Sequence, residues 1–269
     1  MKAIKKGIIV ASAGTTYEKT RKLCIESIEN RIKEQYKDFL VLRAFTSQVV
    51  IDKLKKRDGY LVDNPRETLE RMKENEVNNI YIQPLHIILG HEYEKLIRQV
   101  KEFINENNNF NIKISKPLLY DHLDYCRVVE GLELETLDDE AVVFMGHGTG
   151  HSVDESYKKL KDTFLDKGYE NVFIGTLENE KTLEDIIAEL KEQRIKRVKL
   201  MPFMLVAGNH AMKDMASDME DSWKTKLLLE GFDVDISLKG LGEIKGIQDI
   251  YINHLEDMIN GRGCCQVYE

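Results

Sequence analysis

The chain has 269 residues, about twice the size of a common domain, so it holds one large or two ordinary domains. With 42% hydrophobic and 32% charged residues, 4 prolines and 17 glycines, it has the composition of a soluble globular protein and excludes collagen-like or linker-dominated architecture. The net charge of −8 argues against nucleic acid or a membrane surface as partner, while leaving room for a locally basic pocket that takes an anionic small molecule.

In chain order, the N-terminal segment ending at Ser12 carries an apolar run of only about five residues, too short for a signal-peptide core or a bilayer span. Cytoplasmic location is the expectation. The cysteines, Cys24, Cys126, Cys264 and Cys265, form no C-x-x-C pair, which fits a reducing compartment. Strands are expected at 7–11, 39–43, 79–83, 112–114, 141–145, 172–175, 198–203 and 233–236, with amphipathic helices between them. Leu96, Ile97, Val100, Phe103 and Ile104, for example, recur at helical spacing. Thr15-x-x-Glu18 and Ser152-x-x-Glu155 read as capping boxes, and Asn64-Pro65 places a cap residue before proline at the first helical position. Such alternation predicts parallel sheets covered by helices, with sites at the C-terminal strand ends.

The strands fall into two sets that resemble each other. Ile8-Ile-Val-Ala-Ser-Ala-Gly-Thr15 matches Val142-Val-Phe-Met-Gly-His-Gly-Thr149, and the segment from Ile80 to Glu92 matches that from Val198 to His210. The common frame is an apolar strand, a proline, an apolar stretch, a glycine and a polar pair opening a helix. One α/β unit used twice follows, as a domain over 1–136 and a second over 137–269.

Mismatches within this frame mark the candidate chemistry. Ala13 is replaced by His147, and Glu92 by His210. If the domains face each other across a cleft, Glu92, His147 and His210 converge there. Two imidazoles and a carboxylate suit a borderline divalent ion such as Co, Fe, Ni or Zn, and also accept protons near neutral pH. Each has a plainer role: His147 as a loop residue between glycines, His210 as a cap, Glu92 as an acid favoured by its helix dipole. His86 lies in an apolar run and reads as buried and hydrogen-bonded. His91 is a candidate supporting residue for Glu92, His151 lies near His147 but reads as solvent-facing, and His122 and His254 read as residues of polar, helix-like surroundings. Ser12, Thr15 and Arg43 are candidates for binding substrate carboxylates, against the simpler reading of an ordinary strand-to-helix turn for the first two. Met201, Met204, Met212, Met215 and Met219 around Trp223 read as core before ligand surface, and the run Lys53 to Arg57 as a helix end. No G-x-G-x-x-G, Walker loop or G-x-S-x-G elbow is present, so nucleotide binding and serine-hydrolase chemistry have no support.

Over nearly its whole length the chain resembles the anaerobic-type sirohydrochlorin cobaltochelatases, class II chelatases of the cobalamin pathway. The marks are Arg43-Ala-Phe-Thr-Ser47, Leu85-His-Ile-Ile-Leu-Gly-His-Glu-Tyr-Glu-Lys95, Val143-Phe-Met-Gly-His-Gly148, the segment from Leu200 to Asp218, Asp221-Ser-Trp-Lys224 and Gly240-Leu-Gly242. The resemblance implies two similar α/β domains, each a parallel four-stranded sheet flanked by helices, with a cleft between them for the tetrapyrrole. It implies Co2+ as substrate metal, with Fe2+ or Ni2+ as competitors, and no organic cofactor. It assigns the metal site to His147, His210 and Glu92, with His147 as proton acceptor. The macrocycle is a polycarboxylate, so cleft-lining Arg and Lys are expected to offset the net charge. His91 stands where relatives are expected to carry an acidic residue, and the Cys264-Cys265 tail has no expected counterpart. Precorrin-2 as substrate, a non-catalytic tetrapyrrole or metal carrier and a homo-oligomer stay open.

Overall fold

In the computed structural model, residues 5–135, 139–147, 151–177, 182–262 and 266–268 are described. By contacts the chain divides into one unit of Met1–Tyr120 with Ile247–Glu269 and another of Asp121–Gly246. The expected partition at 136/137 follows the sequence repeat; the contact division instead starts the second unit at Asp121 and returns the C-terminal segment to the first.

All eight expected strands are present. The first unit holds β1 (Lys6–Ser12), β2 (Leu40–Phe45), β3 (Asn79–Pro84) and β4 (Asn111–Ile114), and the second β5 (Glu140–Gly146), β6 (Val172–Thr176), β7 (Arg197–Pro202) and β8 (Asp233–Ile236). Their orders, β2-β1-β3-β4 and β6-β5-β7-β8, are the same, and every pairing among them is parallel. The first sheet has a fifth strand that the sequence reading lacks: β9 (Gln266–Tyr268) pairs antiparallel with β4. Cys264 and Cys265 lie outside the described residues.

Among the helices are α1 (Glu18–Thr20), which runs through a π-helical turn (Arg21–Glu26) into α2 (Ser27–Gln35), then α3 (Gln48–Asp58), α4 (Pro65–Glu74), α5 (His91–Glu106), α6 (His122–Gly131), α7 (His151–Asp166), α8 (Leu183–Glu192), α9 (Trp223–Leu229) and α10 (Lys245–Ile259). Sequence chemistry sets several boundaries. Asn64 caps α4 in a reciprocal capping box with Glu67, with Pro65 following. Gly59 ends α3 in the left-handed conformation, after a last turn that carries Lys55, Lys56 and Arg57. The expected Thr15 box does not form: the cap of α1 is Tyr17, and Thr15 Oγ1 instead accepts the Tyr17 N–H at 3.2 Å, a local turn that competes with capping. The Ser152 side chain lies outside the described residues.

Duplication extends to individual backbone bonds. Ser115 N–H donates to the Ile82 carbonyl and Ser237 N–H to that of Leu200, at 2.9 and 3.0 Å. Leu118 and Leu119 bond to His86 and Ile87; Leu241 and Gly242 bond to Met204 and Leu205. In the first unit Ile9, Ala11, Ile80 and Ile82 pack with Leu69, Met72, Leu96, Val100 and Phe103 of α4 and α5. The second has Val143, Met145, Val198 and Leu200 against Ile186, Leu190, Trp223 and Leu227, with Met215 buried among them and Met204 packed against them. Met201 is also buried, whereas Met212 and Met219 are exposed. No helix among the described residues is long and apolar enough to cross a membrane.

Close packing demands a glycine in the turn after β1 and another at the end of β5. Gly14 has φ +84°, and a Cβ there would lie 2.5 Å from Phe45 Cδ2; at Gly146 it would lie 2.7 Å from the Tyr157 ring. Gly14→Ala meets both a strained backbone and a clash, so it is expected to destabilise the protein by about 2 kcal/mol, read as a lowered urea midpoint at unchanged m-value.

Candidate functional site

In each unit the strand order reverses between the first and third strands, β1/β3 and β5/β7, and the crevice beyond their carboxyl ends is where open α/β sheets bind ligands. Pro84 and Pro202 close β3 and β7. Lacking an N–H they cannot continue the ladder, and the following residues, Leu85 and Phe203, donate instead to Ala11 and Met145 of the central strands, at 2.7 and 2.8 Å. From there each chain leads to the helical turn that carries Glu92 or His210.

In the second unit His147 follows β5 and is exposed. His210 caps a π-helical turn (Ala211–Met215). Their rings meet edge to face, with centroids 4.5 Å apart and planes at 88°. His210 Nδ1 lies 2.6 Å from Asp214 Oδ2. A carboxylate only accepts, so the imidazole carries a hydrogen on Nδ1, and in its neutral form the lone pair lies on Nε2, the arrangement that orients metal-bound histidines. Beneath His147, the buried Tyr157 takes a hydrogen bond from its backbone, and burial pushes the phenol pKa up. Tyr157 therefore stays neutral and braces the strand end.

In the first unit Glu92 sits in the first turn of α5. Its Oε2 accepts from Thr46 Oγ1 at 2.6 Å and its Oε1 pairs with Lys95. Burial works to raise its pKa, but the hydrogen bonds from Lys95 and Thr46 and the charge of Lys95 outweigh it and hold the carboxyl below the ordinary range. His86, expected to be buried, is 8% exposed; Nε2 lies 3.3 Å from Thr46 Oγ1, and Nδ1 has no partner among the described residues. Burial lowers its pKa to about 4.

The remaining candidates do other work. Ser12 is fully buried, its hydroxyl unpartnered among the described residues, and Thr15 is 5% exposed and engaged with Tyr17. Arg43 is bound bidentately by Glu29, at 2.7 and 2.5 Å, and donates to the Tyr60 hydroxyl. Burial opposes its charge, yet Glu29 raises its pKa, so it is an internal ion pair and its guanidinium is committed. His91 is exposed and pairs with Glu94 at 3.5 Å, while His254, expected in polar surroundings, is buried in α10. Sequence reasoning missed Asp214, Thr46 and Lys95. Asp214 and Lys95 carried a signal, standing four and three residues along a helical turn from His210 and Glu92; Thr46 is distant in sequence and meets Glu92 only through the fold. Among the described residues no three His, Cys, Asp or Glu side chains are grouped to hold a metal ion.

Repeated parallel α/β units with histidines and a carboxylate at their strand-end crevices define a chelatase-like protein. A family model described as cobalt chelatase matches residues 6–260. The chain is 35% identical over 260 residues to a sirohydrochlorin cobaltochelatase of Salmonella typhimurium, covering 96% of this chain and 97% of that one. It is 33% identical over 259 residues to the sirohydrochlorin cobaltochelatase CbiKC of Nitratidesulfovibrio vulgaris, covering 93% and 89%. In fold it is similar to the structure of SirB from Bacillus subtilis with Fe3+, at TM-score 0.65 and 12% identity, covering 94% and 95%. The chain belongs to the cobalt chelatase family.

The low His86 pKa gives a pH signature. In the unfolded chain this imidazole takes a proton near pH 6.5, and in the folded one only near 4. Protonation therefore favours unfolding: the stability present above about pH 6.5 is lost as pH falls towards 4, by about 3 kcal/mol. Urea unfolding across this window should show His86→Gln losing markedly less stability than the parent.

Proposed function

We propose that this chain is a sirohydrochlorin cobaltochelatase, inserting Co2+ into sirohydrochlorin or precorrin-2 in anaerobic cobalamin biosynthesis. The observation that carries this reading is the His147–His210 pair, with Asp214 fixing His210 so that a lone pair on Nε2 is left for a metal. Family membership and the names of two relatives matched over most of their length support the substrate class.

Insertion exchanges two pyrrole protons for one divalent cation, so the protein must deliver the metal and remove protons. In this reading His210 and His147 receive Co2+ as substrate, Glu92 is a carboxylate ligand for the substrate metal, and His147, its lone pair freed as the ion passes to the macrocycle, takes the two pyrrole protons in turn and releases each to water. An exposed imidazole is suited to that step, because its ordinary pKa lies near neutrality and water can carry the proton away. The His147–His210 pair alone leaves coordination positions open, which transfer requires, since a fully ligated ion has nowhere to accept a pyrrole nitrogen. The same donor set accepts Fe2+ and Ni2+, so ligand type leaves the choice of metal to geometry and supply.

Purified protein mixed with sirohydrochlorin and Co2+ should change the tetrapyrrole absorbance over many turnovers, and competition with Fe2+ and Ni2+ ranks the metals. Binding of one equivalent without turnover would mean a carrier. His147→Ala should lower kcat by about 10²-fold or more, the usual worth of a general base; an unchanged rate overturns the mechanism. Asp214→Ala should raise the KM for Co2+ about tenfold, the scale of losing a group that orients a metal ligand.

A further inference from the structure

The two copies of the unit act as controls for each other around Glu92. Strand register aligns Ser12 with Phe45 and Gly146 with Thr176, so Thr46 corresponds to Leu177. His86 corresponds to Met204, because both accept the same backbone bond, from Leu118 and Leu241. Where the helix opens with a carboxylate, the two supporting positions are a hydroxyl and an imidazole. Where it opens with His210, they are Leu177 and Met204, packed against the core. The fold is therefore built equally well with apolar side chains at both places.

The polar pair also fits one direction of hydrogen bonding. Glu92 accepts only, so the Thr46 proton goes to Oε2, and His86 Nε2 must donate to Thr46 Oγ1 to satisfy their 3.3 Å contact. That leaves His86 Nδ1 as a buried acceptor with no partner among the described residues, a cost that packing alone gives no reason to bear. Thr46 is 3% exposed and fixed by its backbone, whose N–H donates to the Ser12 carbonyl at 2.8 Å. Glu92 and Lys95, by contrast, are 30% and 40% exposed in their side chains. One carboxylate oxygen is anchored in the protein and the other faces a solvated lysine.

We propose that Thr46, oriented by His86, is a positioning residue that holds Oε2 of Glu92 so that the carboxylate offers Oε1 alone to the incoming metal. This rests on the reading of Glu92 as a ligand for the substrate metal. The anchored carboxylate binds through one oxygen, at a fixed angle, and loses little freedom when the ion arrives.

The test compares Thr46→Val, which keeps the shape, with Thr46→Ser, which keeps the hydroxyl, in the full-length protein. Co2+ binding is followed by visible absorption in the absence of tetrapyrrole, and insertion by steady-state kinetics. Thr46→Val should weaken Co2+ binding and raise its KM about tenfold with kcat within about twofold, and Thr46→Ser should restore both to within about twofold of the parent. In a Glu92→Gln background, Thr46→Val should add nothing. Parent-like binding by Thr46→Val, equal damage by Thr46→Ser, or a full effect in the Glu92→Gln background each overturns the inference. If Glu92→Gln itself binds Co2+ like the parent, the ligand reading of Glu92 falls along with it; if Glu92→Gln is impaired and Thr46→Val is not, only the positioning role falls.

Discussion

Leu85 donates its backbone N–H to the Ala11 carbonyl at 2.7 Å, and Phe203 donates in the same way to Met145 at 2.8 Å. Each bond is the first that the chain makes after a strand-ending proline, and it ties the departing loop to the central strand at the place where the strand order reverses. A buried N–H at this point must find an acceptor, and the central strand supplies one. The loop is pinned a second time by Leu118 on His86 and by Leu241 on Met204. With the loop held at both points, the residues that open the following helical turns, Glu92 and His210, are placed by the backbone before any side-chain chemistry is considered.

Because the order of the four parallel strands and the bonds that pin the loops are the same in both copies, the aligned positions can be compared side chain by side chain. Ser12 becomes Gly146, which must stay small because Tyr157 lies against it. Ala13 becomes His147, and the exchange of Glu92 for His210 goes with the exchange of Thr46 and His86 for Leu177 and Met204. The first copy surrounds a carboxylate with donors, and the second sets two imidazoles edge to face with a carboxylate behind one of them. Two different polar arrangements thus stand at corresponding places on the same order of parallel strands.

The strands were legible because each is an apolar run bounded by polar or proline residues, and their observed ends differ from the expected ones by a residue or two at most. The duplication was legible too, since proline, glycine and the polar pair recur in order. Strand β9 was not: its residues, Gln266–Tyr268, carry too little pattern, and only the free edge of β4 gives them a place. Arg43 shows a different limit. A basic residue near a strand end looks the same in sequence whether it meets a substrate or a glutamate, and its partner Glu29 lies on α2, brought near only by the packing of that helix on β2. Thr46 is hidden for the same reason: it lies 46 residues from Glu92 in sequence, and only the fold brings the two together.

Two glutamates of the first unit stand in opposite surroundings. Glu29 is 3% exposed and spends both oxygens on Arg43. Breaking that pair would leave a charge stranded in the interior, so it is held for good. Glu92 is anchored at Oε2 by a neutral hydroxyl and balanced at Oε1 by Lys95, whose side chain is 40% exposed. Water already screens that pair, and exposed pairs of this kind contribute little to stability. Lys95 can therefore swing away at little cost while Thr46 keeps the carboxylate in place. The role proposed for Glu92, to take up an ion and then give it away, calls for this combination: a fixed direction, and a counter-charge that is easily exchanged.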